Sequence, residues 1–171
     1  MKKEHFYVIG VMSGTSLDGL DLALVEFNLN KGKWAYRYVS TTTNPYPDFW
    51  QKQLEDARFL EAEALAILDR DYTAYLAEQI QFFMNQNPSY TIDLVCSHGH
   101  TVHHKPDQGI TFQIGNQKEL SSFLKTTVVC DFRVQDVALG GQGAPLVPGG
   151  EYHLFSDYVA CINLGGFANI S

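Results

Sequence analysis

HFYVIGVMSGTSLDGLDLALVEFNLNKGKWAYRYVSTTT, residues 5–43, is the stretch on which the fold turns. Residues 5–12 are rich in Val, Ile and Phe and read as a strand. Residues 20–28 set Leu20, Leu22 and Leu24 against Asp21, Ala23 and Val25, a period of two that marks a half-buried strand. Residues 33–43 alternate again. Asp18-Gly19 is a hairpin signal, because glycine tolerates the positive φ such turns demand, and Asn30 to Gly32 supplies the next turn. The chain therefore opens as a three-stranded antiparallel meander.

Beyond it the period changes. Pro45 and Pro47 interrupt the chain, and Pro47-Asp48 can start a helix with an acidic first turn. From about 60 to 85, Leu65, Leu68, Tyr72, Leu76, Ile80 and Phe83 recur every three or four residues, the apolar stripe of an amphipathic helix that Asn87-Pro88 ends. A short strand is expected at 92–97, then a His-rich loop and the segment TFQIG. A helix near 116–124 follows, then a buried strand at 126–130, and a Gly/Pro-rich loop from 131 to 150. The order β-β-β-α-β-α-β predicts an α/β fold: a mixed five-stranded sheet with helices on its faces. The division falls in the long loop, with one lobe over 1–150 and the first strand of a second over 151–171.

Composition narrows the class. Hydrophobic residues make up 45% and charged residues 18%, ordinary values for a globular chain. A net charge of −7 repels phosphate backbones, so nucleic acid is not an expected partner. No apolar run is long enough for a membrane span, and the N-terminus lacks the pattern of a signal peptide. Cys96, Cys130 and Cys161 each sit in or beside an apolar run, which reads as buried, reduced thiols on strands and a cytoplasmic location. A homo-oligomer stays open.

Four segments could carry chemistry. Ser13 to Asp21 lies in the first hairpin. Gly14 and Gly19 leave main-chain N–H groups unscreened and Thr15 and Ser16 add hydroxyls, so it can wrap phosphate oxygens or be an ordinary turn. It is no P-loop, lacking the Gly-Lys-Ser/Thr and a following helix. Ser97 to Pro106 holds four His in seven residues. It can bind metal, although no metal-site spacing accompanies it, or it can hydrogen-bond a polyol. Asp131 and Arg133 follow a strand end, where ligands of such sheets bind. Arg133 can grip an anion, or Asp131 and Arg133 can simply pair and order the loop. Asn163 to Asn169 repeats the glycine-hairpin logic at Gly165-Gly166.

Together GVMSGTSLDGLD, HGHTVHHKP, TFQIGN, DFRVQDVALGGQGAPLVP and NLGGFANIS resemble the anhydro-N-acetylmuramic acid kinase family, in order, over residues 8–171. The resemblance implies an actin-like ATPase (ribonuclease H-like) fold of two lobes closing over ATP and Mg²⁺. It implies cleavage of a 1,6-anhydro sugar ring with water and phosphorylation of O6, in cell-wall recycling. It puts the phosphates on Gly14, Thr15, Ser16, Leu17, Asp18, Gly19, Leu20 and Asp21 with Gly165 and Gly166, and the sugar near His98, Thr101, His103, Asp131 and Arg133. Many sugar kinases outside the family carry an Asp where this chain reads Met12-Ser13, so Asp18, or else Asp21, is the nearer metal candidate. The family's DTGPGN-like segment, which carries the general base, has no match up to Ser171, so no catalytic residue is expected here and the 171 residues alone are expected to be inactive. A non-enzymatic sugar- or phosphate-binding lobe is the alternative.

Overall fold

The computed structural model describes residues 3–164 and 168–171. The meander forms as the alternation predicts: β1 (His5–Ser13), β2 (Leu20–Asn30) and β3 (Lys33–Asn44) pair antiparallel, with Val8 opposite Val25 and Leu24 opposite Ser40. The helix α1 (Asp48–Asp56) ends in a 3-10 turn at Ala57–Phe59, and the long helix α2 (Ala62–Gln86) follows. β4 (Leu94–Lys105) then runs parallel to β1, with Leu94 beside Val8. β5 (Ile110–Ile114), α3 (Glu119–Leu124) and β6 (Thr127–Val129) complete a six-stranded sheet of order β3-β2-β1-β4-β5, in which β6 also pairs with β4.

A sixth strand, β5, joins the five expected. The His-rich stretch is not a loop. It continues β4 to Lys105 and returns as β5 through a 3-10 turn at Pro106–Gln108 and the left-handed Gly109. Thr101-Val102-His103 and Ile110-Thr111-Phe112 have the β-branched and aromatic side chains that suit a pleated ladder, and the four His hid that pattern. β4 shares its outer edge, the first half with parallel β6 and the second with antiparallel β5. Gly99 stands at the changeover with φ +69.

The core is one layer between the sheet and α1, α2 and α3. Ile9, Val11, Leu20, Leu22, Leu24, Val95 and Ile114 meet the α2 stripe that the spacing predicts, from Leu65 to Phe83. Asp69, also buried in α2, accepts hydrogen bonds from the Gly115 N–H at 2.7 Å and from the Gln117 amide, satisfying its charge and pinning α2 to the β5–α3 connection.

Residues 131–150 depart from the expected loop as well. They hold the short helix α4 (Val134–Ala138) and most of α5 (Leu146–Leu154). Pro148 sits in the first turn of α5, where no N–H partner is needed, so proline does not break this helix. α5 runs through residue 150, the expected lobe division, and lies against the second face of the sheet near Phe6, Val8, Phe27 and Trp34. β7 (Ile162–Leu164) and β8 (Ala168–Ile170) form a separate two-stranded antiparallel hairpin. Its turn, with the expected phosphate residues Gly165 and Gly166, lies outside the described residues.

The cysteines also differ from expectation. All three are half-buried free thiols, and only Cys96 lies within a strand. Burial pushes the Cys96 and Cys130 thiols up, away from the thiolate a nucleophile needs. Among the described residues no helix is long and apolar enough to cross a membrane.

Candidate functional site

The first hairpin turn spans Gly14–Gly19, between the end of β1 and the start of β2. The Leu17 N–H donates to the Gly14 carbonyl at 3.3 Å. The positive φ falls on Leu17 (φ 58) rather than on Gly19. Gly19 is required for another reason: a Cβ there would stand 2.7 Å from the Asn44 carbonyl oxygen of β3. Thr15, Ser16 and Asp18 are exposed, and the Ser16 hydroxyl donates to Asp18 Oδ1 at 2.7 Å, holding that carboxyl below its usual range. Leu20 and Asp21 already belong to β2. Leu20 is fully buried, so its side chain belongs to the core and only its main chain is left for a ligand. Asp21 faces the open side and accepts from the Thr43 hydroxyl at 2.6 Å.

Beneath the turn lies a buried polar cluster that sequence reasoning missed. Ser13 Oγ is 2.8 Å from the Tyr46 hydroxyl, 2.9 Å from the Tyr72 hydroxyl and 2.9 Å from His100 Nδ1, and the two tyrosine hydroxyls are 2.7 Å apart. It ties the last residue of β1 to the segment before α1, to α2 and to β4, so the turn leaves from a fixed point. Burial, and secondarily the nearby His98, lowers the His100 pKa from 6.5 to about 4. The sign follows: the folded state keeps the ring neutral while the unfolded chain takes up a proton below pH 6.5, so stability falls as pH drops from about 6.5 towards 4. Burial, the first cause, also lowers His98 and adds in the same direction. Urea unfolding at pH 7 and pH 4.5 is expected to differ by about 2–3 kcal/mol on account of His100. His100→Gln should flatten the pH dependence, and an unchanged slope in that variant would contradict the assignment.

The loop after β6 turns back onto β4. Arg133 Nε donates to His98 Nε2 at 2.9 Å, and another guanidinium N–H reaches the Gly143 carbonyl. His98 Nδ1 is 2.9 Å from the Gly99 carbonyl, to which it must donate, so His98 is neutral and Arg133 is the cation. The remaining guanidinium donors have no partner among the described residues, which equips Arg133 to take an anion. Asp131, held at φ 56, accepts from the Asn116 amide at 3.2 Å. No Asp131–Arg133 ion pair forms among the described residues. Asp136 closes the loop by accepting the Gly143 N–H at 2.6 Å.

The structure thus brings His98, Asp131 and Arg133 together but separates Thr101 and His103 from them. The bulge around Gly99 turns the rest of β4 away: Thr101 accepts from Gln113 across the β5 ladder at 3.4 Å, and His103 pairs with Phe112. Division along the strand also leaves no group of three His, Cys, Asp or Glu able to hold a metal among the described residues. On the second face of the sheet a cleft of about 750 Å³ opens beside the hairpin. Met12, Asp21, Thr43, Cys96, His98 and Phe132 are among its walls. That is room for a sugar or part of a nucleotide.

Comparison with known proteins then fixes the kinship. Residues 6–171 match the family described as anhydro-N-acetylmuramic acid kinase. The chain belongs to the anhydro-N-acetylmuramic acid kinase family. It is 37% identical to the anhydro-N-acetylmuramic acid kinase of Pseudomonas syringae pv. tomato, over 97% of this chain and 46% of that protein. It is 39% identical to that of Zymomonas mobilis, over 95% of this chain and 48% of the relative, and 40% identical to that of Pseudomonas fluorescens, over 95% and 46%. The chain spans about half the length of the curated relatives it matches.

Kinase kinship implies a nucleotide, and the residues present fit one. The exposed hydroxyls of Thr15 and Ser16 stand on a turn with a constrained backbone, as a phosphate cradle requires. Asp18 and Asp21 are hard oxygen donors of the kind Mg²⁺ takes, one or two carboxylates alongside phosphate oxygens and water.

Proposed function

We propose that these residues are the N-terminal lobe of an ATP-dependent sugar kinase acting on 1,6-anhydro-N-acetylmuramic acid. Water opens the 1,6-anhydro bridge at C1, the freed O6 takes the γ-phosphoryl group, and ADP and N-acetylmuramic acid 6-phosphate leave, a step of cell-wall recycling in the cytoplasm. The observation that carries the reading is the Arg133–His98 hydrogen bond, with His98 in the wall of a cleft that also holds Met12 and Asp21 of the two hairpin strands. In this reading Gly14–Asp21, with Gly165 and Gly166 of the second hairpin, hold the phosphates. Asp18 sits next to Mg²⁺. His98, Asp131 and Arg133 grip the sugar, while Thr101 and His103, carried off along β4, take no part in this reading. The second lobe begins after α5, and the base that activates water comes from it.

What the chain's own groups do is bind and orient. Positioning reactants in this way can supply roughly 7–11 kcal/mol of a barrier. The test is an NMR titration of the 171-residue chain. ATP with Mg²⁺ should shift Gly14–Gly19, and Asp18→Asn should weaken the Mg²⁺-dependent part of that shift. Perturbations confined to residues away from the hairpin would overturn the phosphate assignment.

A further inference from the structure

The short helix α4 ends by folding back on itself. The Gly140 N–H donates to the Val137 carbonyl at 3.0 Å and the Gly141 N–H to the Asp136 carbonyl at 2.8 Å, with Gly140 in the left-handed region at φ +87. These are the paired bonds of a Schellman stop. The chain therefore doubles back over Asp136. Gly141 passes so close to the Asp136 carboxylate that a Cβ there would run into it. Two residues on, the Gly143 N–H donates to Asp136 Oδ2 at 2.6 Å.

Gly143 faces two ways. Its N–H is on Asp136, and its carbonyl accepts from Arg133 Nη1. It is buried, and Val137 of α4 and His104 of β4 fill the space where a side chain would stand. Arg133 is thus held at two points, at Nε by His98 Nε2, 2.9 Å away, and at Nη1 by Gly143. Two in-plane donors fix the plane of a guanidinium, so its other N–H groups point where the rigid fork sends them. One point alone would leave the long side chain free to swing. Asp136 itself forms no ion pair among the described residues, although Arg133 lies only three residues earlier. A half-buried carboxylate without a cation in salt-bridge reach serves here as an acceptor for the main chain, and its effect on Arg133 passes through Gly143.

We infer that Asp136 is a positioning residue, which holds the turn at 140–143 so that the Gly143 carbonyl aims the Arg133 guanidinium. The inference rests on the reading of Arg133 as a group that grips the sugar, and it names the residue on which that grip depends. Asp136 touches no substrate in this account.

Two measurements test it. The first needs no substrate and is nitrogen NMR of His98 in the 171-residue chain. Asp136→Ala should shift His98 Nε2 towards the position of a lone pair without a donor. Asp136→Asn, which keeps an oxygen for the Gly143 N–H, should leave it close to the wild type. The second is steady-state kinetics of the full-length protein with 1,6-anhydro-N-acetylmuramic acid. Asp136→Ala should lower kcat/KM for the sugar about 10²-fold, the scale of a reactant misplaced by about 1 Å, with KM for ATP unchanged. Asp136→Asn should recover most of that loss. Arg133→Ala and the double variant Arg133→Ala/Asp136→Ala should be equally poor, because a residue that acts only through Arg133 has nothing left to add. Additive losses, an asparagine variant as poor as alanine, or an unmoved His98 nitrogen in Asp136→Ala would overturn the inference. So would unfolding of Asp136→Ala, since α4 sends only Val137 into the interior and Gly140 and Gln142 of the turn are exposed. If the full-length protein phosphorylates no sugar, the kinase reading fails while the His98 measurement still decides the role of Asp136.

Discussion

Incubated with ATP, Mg²⁺ and the anhydro-sugar, the 171-residue chain alone is expected to show no kinase turnover, a loss of at least about 10²–10⁴ in rate. Phosphoryl transfer depends on groups converging on the γ-phosphate and the nucleophile. In the proposed reading these residues supply one phosphate turn, the Arg133–His98 cluster and two carboxylates. The relatives are about twice as long, and the DTGPGN-like segment on which the resemblance puts the general base is not among these residues. In the proposed reading a second lobe closes over the cleft and excludes water, and without that lobe each electrostatic contact is weaker. ADP release near 1 s⁻¹, an ordinary enzyme rate, would show that the chain holds a complete site.

Gly99→Ala is expected to destabilise the fold by about 2–5 kcal/mol. Gly99 sits at φ +69, which costs an alanine roughly 1–2 kcal/mol before any contact is counted. Its Cβ would lie 2.5 Å from the Ile114 carbonyl oxygen and 2.7 Å from the Asn116 amide nitrogen. The first is main chain in the β4–β5 ladder and cannot swing aside. The strand changeover that places His98 on one side and His100 on the other would also be disturbed. Gly109→Ala is the control: its φ is +71, yet nothing lies within 4 Å, so only the conformational cost should appear. Urea unfolding checks both, and equal losses at the two positions would contradict the packing argument.

The parts of this fold that were legible in the sequence are those set by local period. Alternation in residues 5–43 places the meander, and the three-to-four spacing from Leu65 to Phe83 places α2 and its buried face. What was not legible depends on partners far apart in the chain. Ser13 meets Tyr46, Tyr72 and His100 across 33, 59 and 87 residues, and no spacing rule connects them. The four-His segment looked like a loop because its side chains are polar, although its backbone had a ladder partner in residues 110–114. Proline and glycine at 145–150 read as breakers, although Pro148 falls in a first helical turn where it is harmless. The meeting of His98 with Arg133 was expected from both following strands. Thr101 and His103 were expected beside them, but the bulge at Gly99 carries them off.

The most direct test is phosphorus NMR of the full-length protein that carries these residues, given ATP, Mg²⁺ and 1,6-anhydro-N-acetylmuramic acid. The account predicts one new phosphomonoester on O6 of a ring-opened sugar for each ADP formed, and loss of that signal in Arg133→Ala. ADP formed without sugar phosphate, or phosphate placed on the sugar at full rate by Arg133→Ala, would contradict it.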